Sequence, residues 1–584
     1  MAGEELRTMA KWTAIKAPAL PARPNDEVKA AHLQELRKQG EYFGWKEGAG
    51  PDTVVFNTGM GKDLVAVSTP IPNSPPGGPS AGAVFDTFHT REIETWIVAK
   101  SNEGAARGSG FWSVPLTVQC LRNFIGITMF MHVVKLPDKR MYWGRSFGIP
   151  WIIRTMSHER YVFIKRNLRF ATSAPAKMDK KNVEYGKLWP VREVTELFEK
   201  QWWANRSQSS NISIDEQMYA HKGFCLLKTY MPNKPTKRGA KAWTAAEPKT
   251  GYVYVANLYV GKKHKDDKAE EGMAKQVVLD LAEPFVEYTR FACDRFFASV
   301  GALQQLWDEQ RKYLHGTVRK GSQGFPKDLV AFGKQWQKGE WAVQHAMYGV
   351  ARDAKILAWS VMDSDLVMGI SSCAAGKLCI QQRQVVRDAE RLSEVKTVDR
   401  TGPDAWAAYN QNYNGCDVAD AKRAAYGLEM KIPQRWPTTL YLKFLVDTSI
   451  NNAMIVFKEL SPAQFPKSGV GMNFRLQLIQ HLCELDHAPN IWQTDGMPTD
   501  IHDPVRVFLP NGAPASRQCV VCFGGNSAAA KARKAMRNMT AGAKPSTQCR
   551  ICKVHLCVGT AEKSCFREFH KNKKYSFMWK SAPQ

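Results

Sequence analysis

No stretch of this chain is long and apolar enough to cross a bilayer. The longest strongly apolar run, around Phe124 to Val134, falls far short of the ~20 residues that a spanning helix needs. A transmembrane protein is therefore not expected. The opening residues Met1-Ala2-Gly3-Glu4-Glu5 carry acid where a signal peptide needs positive charge, and no apolar segment follows them. The chain is expected to stay inside the cell. No internal repeat of fixed period is present, which excludes a solenoid or a propeller array. Acidic residues are in short supply: 55 Asp and Glu face 81 Lys and Arg, a net charge of +26. A polyanion is the expected partner, nucleic acid before an anionic membrane surface. Cysteine is also scarce before residue 519. Cys120, Cys225, Cys293, Cys373, Cys379, Cys416 and Cys483 are scattered among apolar neighbours and read as buried thiols.

What is present is enough to fold. At 584 residues, 44% apolar and 11% aromatic, the chain can build several cores, about four by the usual domain size, and is not wholly disordered. Residues 69–83 are rich in Pro, Gly and Ser, a linker composition. Before them one short docking helix is expected, with Asn25 as N-cap and Val28, Leu33 and Leu36 on its face. From about Asp86 the pattern is helical, with Thr117 and Ser157 as N-caps of two segments. Near residue 211 the period changes to alternation, in 211–215 and again in 251–260, and 290–294 reads as a further strand leading into a helix. Residues 326–405 read as β-rich and irregular. Helices return after Asn414, including a long one from Pro437, a favoured first-turn residue, to about Leu460.

Four acids stand out. Asp215 and Asp294 each end a strand, while Asp417 and Asp420 sit three apart at a helix start, on one face. Carboxylates on the ends of separate elements can hold two divalent ions about 4 Å apart, the arrangement that activates an attacking oxygen and stabilises a leaving one in phosphoryl transfer. Magnesium suits oxygen donors of this kind. The plainer alternatives are that Asp294 caps the following helix and that Asp417 and Asp420 are first-turn acids favoured by the helix dipole.

Lys228, Lys234, Lys237, Arg238 and Lys241 crowd the turn after the first strand; they read either as phosphate contacts or as a solvated loop. Trp436 reads either as a ring stacked on an unpaired base or as core. The remaining six cysteines all lie in the last 66 residues, as Cys519-x2-Cys522, Cys549-x2-Cys552-x4-Cys557 and Cys565-x4-His570. In a reducing compartment such pairs read as zinc ligands rather than disulfides. Two tetrahedral ions need eight ligands, and seven candidates are present. Cys549, Cys552, Cys565 and His570 fit one zinc in a cross-brace, leaving Cys519, Cys522 and Cys557 to take His555 or His502 as a fourth. From Arg517 to Gln584 there are 14 Lys and Arg against 2 Asp and Glu, so this tail carries nearly half of the net charge.

The wording around the acids resembles the piggyBac transposase family. Ile-Ser-Ile-Asp-Glu-Gln at 212–217 is followed by Lys222-Gly223, Tyr-Met-Pro-Asn-Lys-Pro at 230–235 and Gly-Ala-Lys-Ala-Trp at 239–243. Then come Thr250-Gly251-Tyr252, Tyr259-Val260-Gly261, Cys-Asp-Arg-Phe-Phe-Ala-Ser at 293–299, Gly-Thr-Val-Arg at 316–319, Tyr409-Asn410-Gln411 and Gly-Cys-Asp-Val-Ala-Asp at 415–420. The resemblance covers roughly residues 86 to 570, and the order of so many motifs makes it specific. It implies an α+β multidomain protein with an RNase H-like core, a triad of Asp215, Asp294 and Asp417 on two magnesium ions, and Asp420 as a fourth essential carboxylate. It also implies a helical dimerisation and DNA-binding domain, a β-rich insertion, and a cysteine-rich domain that binds transposon ends through two zinc ions. Double-stranded DNA is the implied partner, as transposon ends and as a TTAA target. A homodimer and a nuclear location follow.

On this reading 1–85 is a mobile arm and linker, 86–209 and 431–510 form the helical domain, and 210–325 with 406–430 form the core. Residues 326–405 are the insertion and 515–575 the zinc domain. Two departures from the family's pattern stand out. A second basic residue usually follows three positions after Arg319, where Ser322 stands here, with Lys320 nearest; insertion into target DNA is expected to be weakened. Cys416 replaces the valine before the third aspartate, a neutral change. The competing readings are a domesticated descendant that binds DNA without cutting, and a chromatin reader or ligase-like module built on the zinc tail.

Overall fold

The computed structural model describes residues 64–106, 114–144, 148–171, 183–261, 270–333, 336–348, 354–386, 395–428, 435–465 and 469–486. It adds the backbone of three strands, Lys11–Ile15 (β1), Pro504–Arg506 and Thr547–Cys549. The docking helix expected from Asn25 and the zinc ligands lie outside these residues, apart from the backbone of Cys549. The described residues divide between two units, 1–121 with 164–474, and 122–163 with 475–584. Among them no helix is long and apolar enough to cross a membrane.

Helices come first: α1 (Ala81–Phe88), α2 (Arg91–Ala106), α3 (Val118–Val133), α4 (Pro150–Thr155), α5 (His158–Asn167), α6 (Val183–Leu188) and α7 (Arg192–Ala204). Thr117 and Ser157 act as expected, their hydroxyls accepting from the backbone N–H of Cys120 and Arg160 at 3.2 Å. In the smaller unit α3 is closed by rings: Phe124 lies 5.1 Å from Tyr161, and Phe130 5.1 Å edge-on from Trp151.

Residues 64–83, which include the 69–83 segment of linker composition, are docked. Leu64 N–H donates to Ser210 Oγ, Thr69 N–H to Asn205 O at 2.9 Å, and Ser461 Oγ to Pro79 O at 2.7 Å. Ser80 then caps α1. A proline-rich segment has little helix or sheet of its own, so its free N–H and C=O groups are satisfied by neighbours, and it lies flat where they supply partners.

The strands follow as β2 (Asn211–Ala220), β3 (Lys228–Tyr230), β4 (Arg238–Ala246), β5 (Val253–Leu258), β6 (Arg290–Cys293) and β7 (Tyr313–Thr317). Helices α8 (Glu270–Ala282) and α9 (Val300–Gln310) join the later strands, and α10 (Lys327–Gly333) follows β7. β5, β4 and β2 are antiparallel neighbours, and β2, β6 and β7 are parallel. The parallel half needs crossover helices, which α8 and α9 provide. The β-rich segment expected after residue 326 does not stand apart. β8 (Trp341–Tyr348), β9 (Ala354–Met362) and β10 (Leu366–Ser371) form a meander whose last strand pairs with β7, and β1 adds to its far edge, giving one ten-stranded sheet. Trp359, Leu357, Val343 and Trp406 form the core beneath it. β11 (Leu378–Val386) and β12 (Val395–Pro403) make a separate hairpin.

The chain then returns as α11 (Asp404–Asn412), α12 (Gly415–Tyr426) and a long helix from α13 (Trp436–Leu440) through a π-helical stretch, Tyr441–Val446, into α14 (Asp447–Leu460); α15 (Val470–Leu482) closes the described helices. Pro437 lies in the first turn, as its fixed φ favours.

Candidate active site

The site begins with a register. β2 and β6 run parallel with Ile214 opposite Cys293, and the next residue of each segment is an acid: Asp215, which lies within β2 and does not end it as expected, and Asp294, just past the end of β6. Neighbouring strands lie ~4.8 Å apart and residues side by side share a face, so the two carboxylates emerge together. Ser213 and Gln217 share that face with Asp215, and α12 packs onto it. Ser213 Oγ donates to Tyr413 O at 2.6 Å, and Gln217 Nε2 donates to Asp420 Oδ1 at 2.7 Å and to Cys416 O at 3.2 Å. Asp417 stands in the first turn of α12 and Asp420 one turn on. Two glycines permit this close seat. A Cβ on Gly415 would stand 2.9 Å from Ser213 Cβ and 3.0 Å from Glu247 O; one on Gly251, whose φ is +71°, would stand 2.8 Å from Ala419 N.

Asp294 is not the cap of the next helix. Ser299 caps α9, accepting from Ala302 N–H at 3.1 Å, while Asp294 Oδ1 accepts from Phe296 N–H at 2.8 Å in the preceding turn. Asp215 Oδ1 accepts from Glu216 N–H at 2.7 Å. Asp420 is held from a second side by Arg423 Nη2 at 2.7 Å, whose guanidinium lies 4.1 Å over the Tyr219 ring.

Asp215, Asp294 and Asp420 are partly buried, while Asp417 is exposed. Burial, and then repulsion from Glu216 and Asp294, pushes the Asp215 carboxyl up to about 8, with Lys234 opposing. Burial and Glu216 likewise raise Asp294. Burial and Asp417 raise Asp420 against the pull of Arg423. In the metal-free protein the folded Asp215 therefore holds its proton at pH values where the unfolded chain has lost it, so stability falls as pH rises from the ordinary 3.8 through about 8. Thermal melts of metal-free protein over this range check the sign: wild type loses more Tm toward alkaline pH than Asp215→Asn, whose amide does not titrate.

Such donors fit a divalent cation by their chemistry: hard oxygens, partly buried at Asp215, Asp294 and Asp420, open to solvent at Asp417, and close enough to feel each other's charge. Among the described residues, no three His, Cys, Asp or Glu groups already close around one ion position. The acids are gathered on one face without forming a finished cage.

The basic residues divide. Lys237, Arg238, Arg319 and Lys320 are exposed. Lys241 is buried in β4, its ammonium 3.6 Å from the Trp243 centroid and 4.4 Å from Tyr259, and burial brings it down to about 8, so it packs on rings instead of facing solvent. Trp436 is buried at 8% exposure, which matches the packing alternative and leaves no open ring for a base. Lys234 points at acids, its Nζ 3.3 Å from Glu216 Oε1. Arg319 lines a cavity of about 280 Å³ with Arg295, Phe296, Ser299 and Ser322. Arg295, which sequence reasoning passed over, thus brings a second cation to the wall where Ser322 stands. Gln217 and Arg423 were also missed. Their spacing was the available signal, two along a strand from Asp215 and three along a helix from Asp420.

The sequence matches the family described as Transposase IS4 over residues 80–454, well over half of the chain. It is 25% identical over 421 residues to the human PiggyBac transposable element-derived protein 3, covering 70% of this chain and 65% of that one. The same identity and length relate it to the human Chimeric ERCC6-PGBD3 protein, of which 36% is covered. The chain thus spans less than two thirds of either relative. Among solved structures it is similar to a piggyBac transposase in a synaptic complex with hairpin DNA, with a TM-score of 0.56 and 20% identity, covering 74% of this chain and 88% of that one. That likeness speaks for a shared mixed α+β fold. The match across α1 to α14, with the ordered motifs on β2, β6 and α12, makes this chain a piggyBac-type member of the Transposase IS4 family.

Proposed function

We propose that the chain is a cut-and-paste DNA transposase, excising an element through hairpin ends and inserting it at TTAA. The observation that carries this is the placement of Asp215 beside Asp294 under a helix bearing Asp417 and Asp420. The strand order β5-β4-β2-β6-β7, antiparallel then parallel, supports an RNase H-like core. Asp215, Asp294 and Asp417 would hold two magnesium ions, with Asp420 as the fourth acid. When bound, magnesium supplies activation of the attacking oxygen and charge relief on the leaving one. The chain's own part is to hold these carboxylates together, with Gln217 and Arg423 fixing Asp420 and the Asp294 turn fixing the second acid. A water nicks the element end, the freed 3′-hydroxyl attacks the opposite strand to form a hairpin, and the reopened end attacks target DNA.

Exposed Lys237, Arg238, Arg319, Lys320 and Arg295 would contact phosphates. Pairing of two chains through the helical domain, zinc on the tail from Cys519 to His570, recognition of ends by that tail, and work in the nucleus complete the proposal.

The test is a labelled duplex carrying the element's end beside TTAA, incubated with purified protein and magnesium. A nick followed by a hairpin, both absent with chelator, is the expected result. Specific binding without cleavage would overturn it in favour of a DNA-binding descendant, the reading to which the relative's name, transposable element-derived, lends weight.

A further inference from the structure

Lys234 lies in the turn between β3 and β4, closed by Lys234 N–H to Met231 O at 3.3 Å and Met231 N–H to Lys237 O at 2.9 Å. β4 separates β3 from β2, so the turn carries its side chain back over the sheet to Glu216 on β2, 3.3 Å away. The carboxylate is 13% exposed and the lysine side chain 33%. The ammonium's field reaches Asp215, Asp294 and Asp420, lowering each. Burial would depress Lys234 itself, but Asp215, Glu216 and Asp417 reverse that. A single flexible side chain thus pairs with Glu216, the neighbour of Asp215 on β2, and its charge reaches the other acids of the cluster.

We propose that Lys234 is the resident cation of the acidic cluster: it holds the carboxylates together in the metal-free protein and withdraws when a divalent ion binds. This rests on the metal-binding reading of the acids. Lysine suits the task because its ammonium is a point charge on a four-carbon stem, able to swing into solvent, whereas a guanidinium forks rigidly onto carboxylates. Crowded carboxylates without a cation would repel or take up protons. With Lys234 among them the site stays folded before metal arrives, and the first ion binds against a positive charge.

The experiment titrates Mn2+ into the full chain, following free ion by electron paramagnetic resonance, and records melts with and without chelator. Lys234→Met is expected to bind Mn2+ roughly tenfold more tightly, since one like charge a few ångströms away is removed at an intermediate dielectric. Its chelated form melts lower than wild type, and Mn2+ restores it. Lys234→Gln keeps a hydrogen-bond donor toward Glu216 without the charge and gives the same gain if the methionine variant folds poorly; Lys234→Arg stays at or below wild-type affinity. Unchanged or weaker binding by both neutral variants overturns the assignment. Asp215→Asn separates the two claims. If it loses Mn2+ while the neutral lysine variants behave as wild type, only the role of Lys234 falls; if it binds as wild type, the metal reading falls with it.

Discussion

Asp215→Asn is expected to lower metal-dependent cleavage of element-end DNA on the order of a thousandfold, while affinity for the same DNA stays within a few-fold. A metal ligand supports several kcal/mol of charge stabilisation in the transition state, and each ~1.4 kcal/mol is tenfold in rate. Misfolding does not offer a competing explanation. The amide is the same size, its oxygen still accepts from Glu216 N–H, and the repulsion from Glu216 and Asp294 is relieved. The exposed cations proposed to hold phosphate are untouched. Single-turnover cleavage and binding, measured in one buffer with magnesium and again with chelator, give both numbers. A near wild-type rate from the variant would remove Asp215 from the chemistry, and the same comparison applies to Asp294→Asn and Asp417→Asn.

The largest effect on stability is expected at Arg206. Its side chain is 2% exposed and meets Glu247 at 3.1 Å, with Glu459 on its other nitrogen and Ser68 Oγ at 3.2 Å. Its guanidinium also lies 5.5 Å from the Tyr252 ring. Glu247 is 6% exposed, so Arg206→Met strands a buried carboxylate; breaking such a pair costs about 3–5 kcal/mol. Glu459, 34% exposed, is rescued by water and adds less. Denaturant melts should show the lowered midpoint, and Arg206→Met combined with Glu247→Gln should regain part of it, because the uncompensated charge is then gone. The loss reaches the candidate site. Glu247 opens the turn, closed by Gly251 N–H to Glu247 O at 2.8 Å, against which Gly415 and Ala419 of α12 are seated. A single variant with an unchanged midpoint would show that the network contributes nothing net.

What the sequence disclosed was local. Thr117, Ser157 and Pro437 announce helix starts because capping and first-turn geometry involve only near neighbours. The change to alternation at residue 211 announces β2, because one period describes one strand. The register that sets Asp215 beside Asp294 joins residues 79 apart through a parallel pair, and no local pattern encodes it. The same holds for the meander after residue 326, whose docking onto β7 depends on an edge created elsewhere. The burial of Lys241 is legible in its own strand. Gly-Ala-Lys-Ala-Trp-Thr-Ala-Ala at 239–246 is small and apolar on both faces, the mark of a strand covered on two sides, so a lysine within it belongs inside. The reach of Lys234 toward Glu216 is not legible in this way. Charge in a turn looks like a phosphate contact until the path of the turn across the sheet is known.

The bond from Gln217 to Asp420 spans 203 residues, and that from Ser213 to Tyr413 spans 200. While the chain is being made, β2 leaves the ribosome long before the helix that must cover its acidic face. At ~5–20 residues per second the interval is roughly 10–40 s. Throughout it Asp417 and Asp420 do not yet exist. On the function proposed above, the acidic cluster is complete, and able to take up metal, only when α12 has been made.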